Sequence, residues 1–339
     1  KRTRAPVEVQ YLCTAHANAG YIIAADLGFD PEVEMPEIEA LMRAGGDFAL
    51  PRAFRRQARV WSESEFSDYL DKRTRNIVLS PHESEDFDAE LQLPHTGAKI
   101  RKDIAEYAHA LLLRRFLHKT DNRFVFVLDA DPGLARAFVA VFAREVRRGM
   151  ADMIVVQFEK NLSNDARNAR VADGYVALQA DTGITPDQFR TIPTQFANEI
   201  IDYEIVGQIE GAPPGCPFEW PYHTKPEPDR TLRILTDRGQ IPVDRKARLM
   251  RLATLRSVDS YFHKVRSNIR ATARPGHTPS SNHRAWTKHH YYNPRMLWKV
   301  LEIYRFKHNW MGSRHTTKTP AMKLGVAAGK IYERDLFGQ

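Results

Sequence analysis

Residues 124–134 read FVFVLDADPGL: five apolar residues run into Asp129 and Asp131, followed by Pro132 and Gly133. An unbroken apolar run of this kind is the pattern of a buried strand, whereas a strand with one wet face alternates. Pro132 suits the first turn of a helix, and Leu134, Phe138, Val141, Phe142 and Val146 then recur at helical spacing. Strand followed by helix sets both carboxylates at the carboxyl end of a strand, in the crevice where open α/β sheets bind ligands. On an extended strand the two acids project to the same side, so the sequence does not choose between them.

Outward from that stretch, MADMIVVQF at 150–158 reads as a second buried strand. Between Ile100 and Leu117 the spacing predicts a helix whose apolar face is Ile104, Tyr107, Ala108, Leu111, Leu112 and Phe116. VEVQYL at 7–12 and YIIAADL at 21–27, separated by Asn18-Ala19-Gly20, read as a hairpin. Residues 31–95 are acidic, mixed and punctuated, and read as an insertion. Residues 163–245 lose the alternation, and because six of the 20 prolines fall between Pro213 and Pro228, an irregular, exposed insertion is expected there. Leu252, Leu255, Phe262, Val265 and Ile269 mark one long helix that ends at Arg274-Pro275-Gly276, and Asn293-Pro294 opens another. The expected class is α/β, a mixed sheet with helices on its faces. Its parts are a hairpin (1–30), an insertion (31–95), a core (96–162), an irregular insertion (163–245), a basic helical segment (246–311) and a tail (312–339).

Composition excludes several classes. Cys13 and Cys216 are the only cysteines, too few for a disulfide framework or a cysteine zinc site, and a reducing, cytoplasmic setting is expected. No apolar run approaches the roughly 18 residues of a membrane helix, and KRTRAP at the amino end is followed by no signal-type apolar region. Charge is segregated. Asp244 to Pro320 holds 17 Lys+Arg against 3 Asp+Glu, while the rest of the chain holds 33 against 39, so the net charge of +8 comes from one segment. The same segment carries Tyr261, Trp286, Tyr291, Trp298 and Tyr304 and seven of the 13 histidines, the footprint of a polyanion partner rather than of a merely solvated surface.

Within that segment Asp259 is a lone acid among Arg256, His263, Lys264, Arg266 and Arg270. On a helix it stands at i+4 from Leu255 and i−3 from Phe262, beside the stripe expected to face the sheet. The plainer alternative is an ion pair with Arg256 or His263, common and weak. Oxygen ligands suit Mg²⁺ or Mn²⁺, so carboxylates and not histidines are the expected metal holders, and His289-His290 lacks zinc-type spacing.

Taken together these stretches resemble the catalytic core of an insertion-sequence transposase of the RNase H-like, retroviral-integrase superfamily. QYLCTAHANAGYIIAADL at 10–27 is similar to the second and third strands of that fold, Asp131-Pro132-Gly133 to its D-x-G at the end of the fourth strand, VDSYFHKVR at 258–266 to the helix that carries the third acid, and TKTPAMKLGV at 317–326 to the K-T-P-A-x-x-L ending. The resemblance implies an RNase H-like mixed sheet with two insertions and a basic helical carboxyl-terminal segment. It also implies metal-dependent cleavage and transfer of DNA strands on a two-metal Mg²⁺ or Mn²⁺ site held by Asp131 and Asp259, with Asp129 as the alternative on the strand. DNA contacts are expected from Arg256, His263, Lys264, Arg266, Arg270, Arg274 and Lys288, and the implied partners are transposon ends, target DNA and further copies of the chain, in a bacterial cytoplasm. The third acid would be Asp, making a D-D-D set.

The strand that bears the first acid is expected upstream of Lys1, since KRTRAP has no acidic residue. It follows that residues 1–339 are expected to bind DNA without cutting it and to leave an open sheet edge beside the 7–12 strand; Asp26 and Asp30 are the next candidates for the first acid. A DNA-binding remnant without catalysis is the runner-up. A D-x-D glycosyltransferase fits VFVLDADP but requires neither the basic segment nor TPAMKLG, and a haloacid dehalogenase-type phosphatase wants Thr or Val where Gly133 stands.

Overall fold

The computed structural model describes residues 7–75, 92–117, 122–159, 162–210, 212–272, 276–278, 281–285, 293–313 and 315–338. The chain is mixed α/β. In order it forms β1 (Tyr11–Ala15), β2 (Ile22–Leu27), β3 (Phe29–Asp30), α1 (Met35–Ala44), α2 (Glu63–Arg75), β4 (Ala98–Lys99), α3 (Lys102–Leu117), β5 (Phe124–Asp129), α4 (Pro132–Val141), α5 (Ala143–Arg147) and β6 (Ala151–Gln157). It continues with α6 (Asn164–Thr182), α7 (Pro186–Thr191), α8 (Thr194–Ile209), β7 (Phe218–Glu219), β8 (Thr231–Ile234), α9 (Val243–Leu252), α10 (Arg256–Asn268), β9 (Gly276–Thr278), β10 (Ser281–Ala285), α11 (Pro294–Phe306), α12 (Pro320–Leu324) and α13 (Glu333–Phe337). Two compact units result, one from Lys1–His109 with Val258–Gln339, the other from Ala110–Ser257. Among the described residues no helix is long and apolar enough to cross a membrane.

In the first unit β1 and β2 pair antiparallel, Tyr11 opposite Leu27 and Leu12 opposite Asp26, around a turn in which Gly20 takes φ +65°. That left-handed backbone costs a side chain and suits glycine. One face of the hairpin, with Tyr11 and Cys13, packs on Tyr261 and Val265 of α10 and Leu301 of α11. Tyr261 is fully buried, and its hydroxyl lies 3.1 Å from that of Tyr11. Burial pushes the Tyr261 phenol up to about 12 and the Cys13 thiol up to about 12.

The opposite hairpin face is polar, and it corrects the expected face of α3. That helix buries Ala105, Glu106, His109, Ala110 and Leu113, while Tyr107, Leu111, Leu112 and Phe116 are exposed. The reason is partner chemistry: Thr14 Oγ1 lies 2.7 Å from His109 Nε2, and Asp26 Oδ2 lies 2.5 Å from His109 Nδ1, so a buried imidazole is satisfied at both nitrogens. The carboxyl end of the chain holds the hairpin too. Asn309 Nδ2 donates to the Ile22 carbonyl and its Oδ1 accepts from the Ile22 N–H, both at 2.9 Å. Residues 31–95, read as an insertion, supply a small core of their own from Met35, Ile38, Met42 and Val60 together with Ala98.

The second unit contains the four-stranded sheet β5-β6-β8-β7, with β5 and β6 parallel and β8 antiparallel to β6. The single mixed sheet expected for the hairpin and the acidic strand is not formed: β1 pairs only with β2, so its other edge carries no strand among the described residues. Strand β5 is at the sheet's edge. It alternates accordingly, burying Phe126 and Leu128 while Val125 is exposed, whereas β6 is buried nearly throughout.

Three further expectations are corrected. The helix after Pro132 is two helices, because the backbone at Phe142 turns aside (φ −98°, ψ 17°) as Phe138 and Phe142 close on Phe126 with ring centroids 5.3 and 4.5 Å away. The long helix at 252–269 is broken at Ala253–Leu255, where buried Glu227 accepts from the Leu255 N–H and the Thr254 hydroxyl, both at 2.7 Å, and Arg230 donates to the Ala253 carbonyl at 3.0 Å. Residues 163–245 are not irregular. They hold α6, α7 and α8 and two strands of the sheet, and Leu178, Ile205, Ile209, Trp220, Leu232 and Ile234 enter the same core as Ile154 and Val156.

Two helical glycines in this unit differ in sign. A Cβ on Gly174 of α6 would meet the His223 backbone nitrogen at 2.6 Å, while one on Gly207 of α8 meets nothing within 4 Å. Gly207→Ala therefore stabilises by about 1 kcal/mol through helix propensity, and Gly174→Ala destabilises by about 1–3 kcal/mol through overpacking. Urea unfolding of both variants checks the opposed shifts.

Candidate functional site

Asp129 ends β5 and Asp131 follows it by two residues; both are half-buried. With Ala130, Pro132, Gln157 and Phe158 they line an open hollow of about 380 Å³ at the carboxyl ends of β5 and β6. Asp131 is the N-cap of α4: its Oδ1 accepts from the N–H of Gly133 at 2.9 Å and of Leu134 at 3.3 Å. Its charge therefore sits against helix N–H groups that lack carbonyl partners in the helix itself, which lowers the cost of holding an anion there. Asp129 Oδ1 accepts the next backbone N–H, Ala130, at 2.9 Å. Two carboxylates and the Gln157 side-chain amide give this hollow the oxygen donors that a hard divalent cation uses.

Asp259 belongs to the first turn of α10 and is exposed. It does not flank the apolar stripe as expected. Leu255 precedes the helix, and the buried face is centred on Tyr261 and Val265, from which Asp259 is turned by well over a quarter-turn. The neighbours on its own face are Arg256 at i−3, His263 at i+4 and Arg266 at i+7. Arg256, His263, Lys264 and Arg270 are exposed and Arg266 is half-buried. Arg274 and Lys288 lie outside the described residues.

The structure brings Asp129 and Asp131 to one hollow; Asp259 belongs to the other compact unit. Among the described residues no group of three or more His, Cys, Asp and Glu side chains gathers as a metal-holding cluster. Asp26, the alternative first acid, is engaged with His109. Sequence reasoning missed the anchor that delivers α10, Glu227 with Arg230, because nothing in a single carboxylate near six prolines signals burial. It also missed a group of arginines at the amino end of β5, whose members are scattered between residues 114 and 148 and form no run that marks them as one cluster. Comparison with protein-family models, curated proteins and solved structures finds no match.

Since Asn caps a helix about as well as Asp, Asp131→Asn leaves stability near that of the parent, while Asp131→Ala costs about 1 kcal/mol. Denaturant midpoints of the two variants distinguish a capping contribution from a charge contribution at this residue.

Proposed function

We propose that the protein is a metal-dependent polynucleotidyl transferase of the RNase H-like transposase type, cleaving and joining DNA strands. The observation that carries the proposal is Asp259: a carboxylate held on one helix face between Arg256, His263 and Arg266, while a pair of acids, Asp129 and Asp131, stands at a strand end. Cations at that spacing suit a phosphodiester backbone, and an acid among them would weaken phosphate binding unless it serves another purpose. In the proposed reaction the oxygen of water or of a 3′ hydroxyl bonds to phosphorus in line as the bond to the leaving oxygen breaks. Mg²⁺ or Mn²⁺, when bound, activates the attacking oxygen and stabilises the leaving one. Asp131 and Asp259 are the assigned holders, with Asp129 beside Asp131. The cap on Asp131 fixes that carboxylate relative to the strand end, and burial of Tyr261 and Val265 fixes the rotation of α10. Arg256, His263, Lys264, Arg266 and Arg270 hold phosphates. The glycosyl-transfer chemistry of D-x-D gives no role to that basic face.

A DNA-binding protein without catalysis is the second reading. What favours it is that Asp131 Oδ1 is already engaged by two backbone donors, a sufficient structural reason for an acid at that position.

One measurement separates these and a second tests both. In a cleavage assay of the complete protein with Mg²⁺, Asp131→Asn and Asp259→Asn each reduce the rate by more than the roughly 10–100-fold that loss of an outer-shell partner costs, with DNA affinity unchanged or raised; near-parent cleavage by either variant removes that residue from the chemistry. In salt titrations of duplex binding, Arg266→Ala flattens the slope of log K against log salt by about 0.9, one phosphate contact. Binding indifferent to salt contradicts both readings.

A further inference from the structure

The amino end of β5 opens into a hollow of about 590 Å³ that neither the candidate acids nor the basic carboxyl-terminal segment uses. Four guanidinium groups surround it, Arg114 and Arg115 from the last turn of α3 and Arg144 and Arg148 from α5 and its end, against one acid among the described lining residues, Glu145. Arg144 and Arg148, at i and i+4, are exposed on one side. Its apolar lining includes Phe124 and Met150, both half-buried. One Glu145 oxygen accepts from Arg114 Nε at 3.1 Å; the other, Oε2, is buried with no hydrogen-bond partner among the described residues.

These features ask for one kind of ligand. Three positive charges in excess want an anion, and guanidinium forks match phosphate oxygens in pairs. A half-buried aromatic ring beside them offers a flat apolar partner, the combination by which single strands are held without sequence preference. The volume is within the usual range for a small-molecule-sized group. An acidic peptide would satisfy the arginines but would leave the ring unused.

We infer that this hollow is a second nucleic-acid site, binding a nucleotide of a single strand with its phosphates on Arg144 and Arg148 and its base against Phe124. A continuation is present. Arg123, next in sequence to the lining residue Asn122, borders a neighbouring hollow with Arg245 and Arg248, although there buried Asp152 engages both Arg123 and Arg245. The strand thus has a path of arginines at the opposite end of β5 from Asp129. The site stands independently of the catalytic assignment.

The test uses the 339-residue chain and a tetranucleotide of 4-thiothymidine, photo-crosslinked and mapped by peptide mass spectrometry, with salt titrations of binding alongside. Adducts are expected on peptides that contain Phe124 or residues 142–150. The Arg144→Ser/Arg148→Ser double variant, checked for folding by circular dichroism, is expected to flatten the salt slope by about 1.4, two single-strand contacts, and an abasic tetramer is expected to bind more weakly than the thymidine one. Adducts confined to residues 256–272, an unchanged slope in the folded double variant, or displacement of the tetramer by an equal concentration of a Glu tetrapeptide each overturn the assignment. Crosslinking at Phe124 in a protein whose Asp131→Asn and Asp259→Asn variants cleave normally would keep this site and sink only the proposed catalytic residues.

Discussion

One buried side chain holds the two ends of the first unit together. Asn309, only 3% exposed, returns both a donor and an acceptor to the backbone of Ile22, 287 residues away, as a neighbouring strand would. A two-stranded hairpin is marginal by itself in water. Here it is completed from outside: Asn309 satisfies its second strand, His308 lies 3.0 Å from the Gly20 carbonyl at its turn, and Trp310 meets Tyr21 edge-on. Burial holds the His308 imidazole below its ordinary value, a shift that suits a cation-rich segment. Leaving a buried peptide group without its partner costs about 1–3 kcal/mol, which makes this contact a condition for the rest of the unit. Helix α10 depends on it in turn, because Tyr261 and Val265 dock on the hairpin and so decide which way Asp259 and its cationic neighbours face.

Where a pattern is set by local chemistry, it is legible in the sequence. Asn293-Pro294 opens α11 as expected, with Asn293 Oδ1 accepting from the Arg295 N–H at 2.8 Å, and Thr319-Pro320 does the same for α12. The apolar runs at 124–128 and 151–156 are strands and pair in parallel. What failed was periodicity read without knowledge of the opposing surface. Helix α3 carries two faces that could be buried, and the polar one is chosen because Thr14 and Asp26 complement His109; its apolar residues were the stronger signal and the wrong one. Leu255 seemed to extend a helix that Glu227 in fact ends, and six prolines between 213 and 228 concealed a segment that leads into β8.

The candidate site shows the same mixture. That Asp129 and Asp131 come to one hollow follows from strand, turn and Pro132, all local. That Asp131 spends an oxygen on capping α4 also follows from local rules, and it means that the residue has a structural duty whether or not it has a chemical one. Asp259 lies on the exposed side of α10, away from the buried Tyr261 and Val265. Periodicity set that acid beside the apolar stripe, and the structure instead puts it among cations on the exposed face.

The central claim is that these carboxylates hold a divalent cation, and the most direct test is Mn²⁺ binding followed by electron paramagnetic resonance on the protein bound to DNA. Bound Mn²⁺ in the parent, lost when either Asp131 or Asp259 is changed to Asn and retained when Glu145 is changed to Gln, is the predicted result. Full Mn²⁺ occupancy in the Asp259→Asn protein would contradict it.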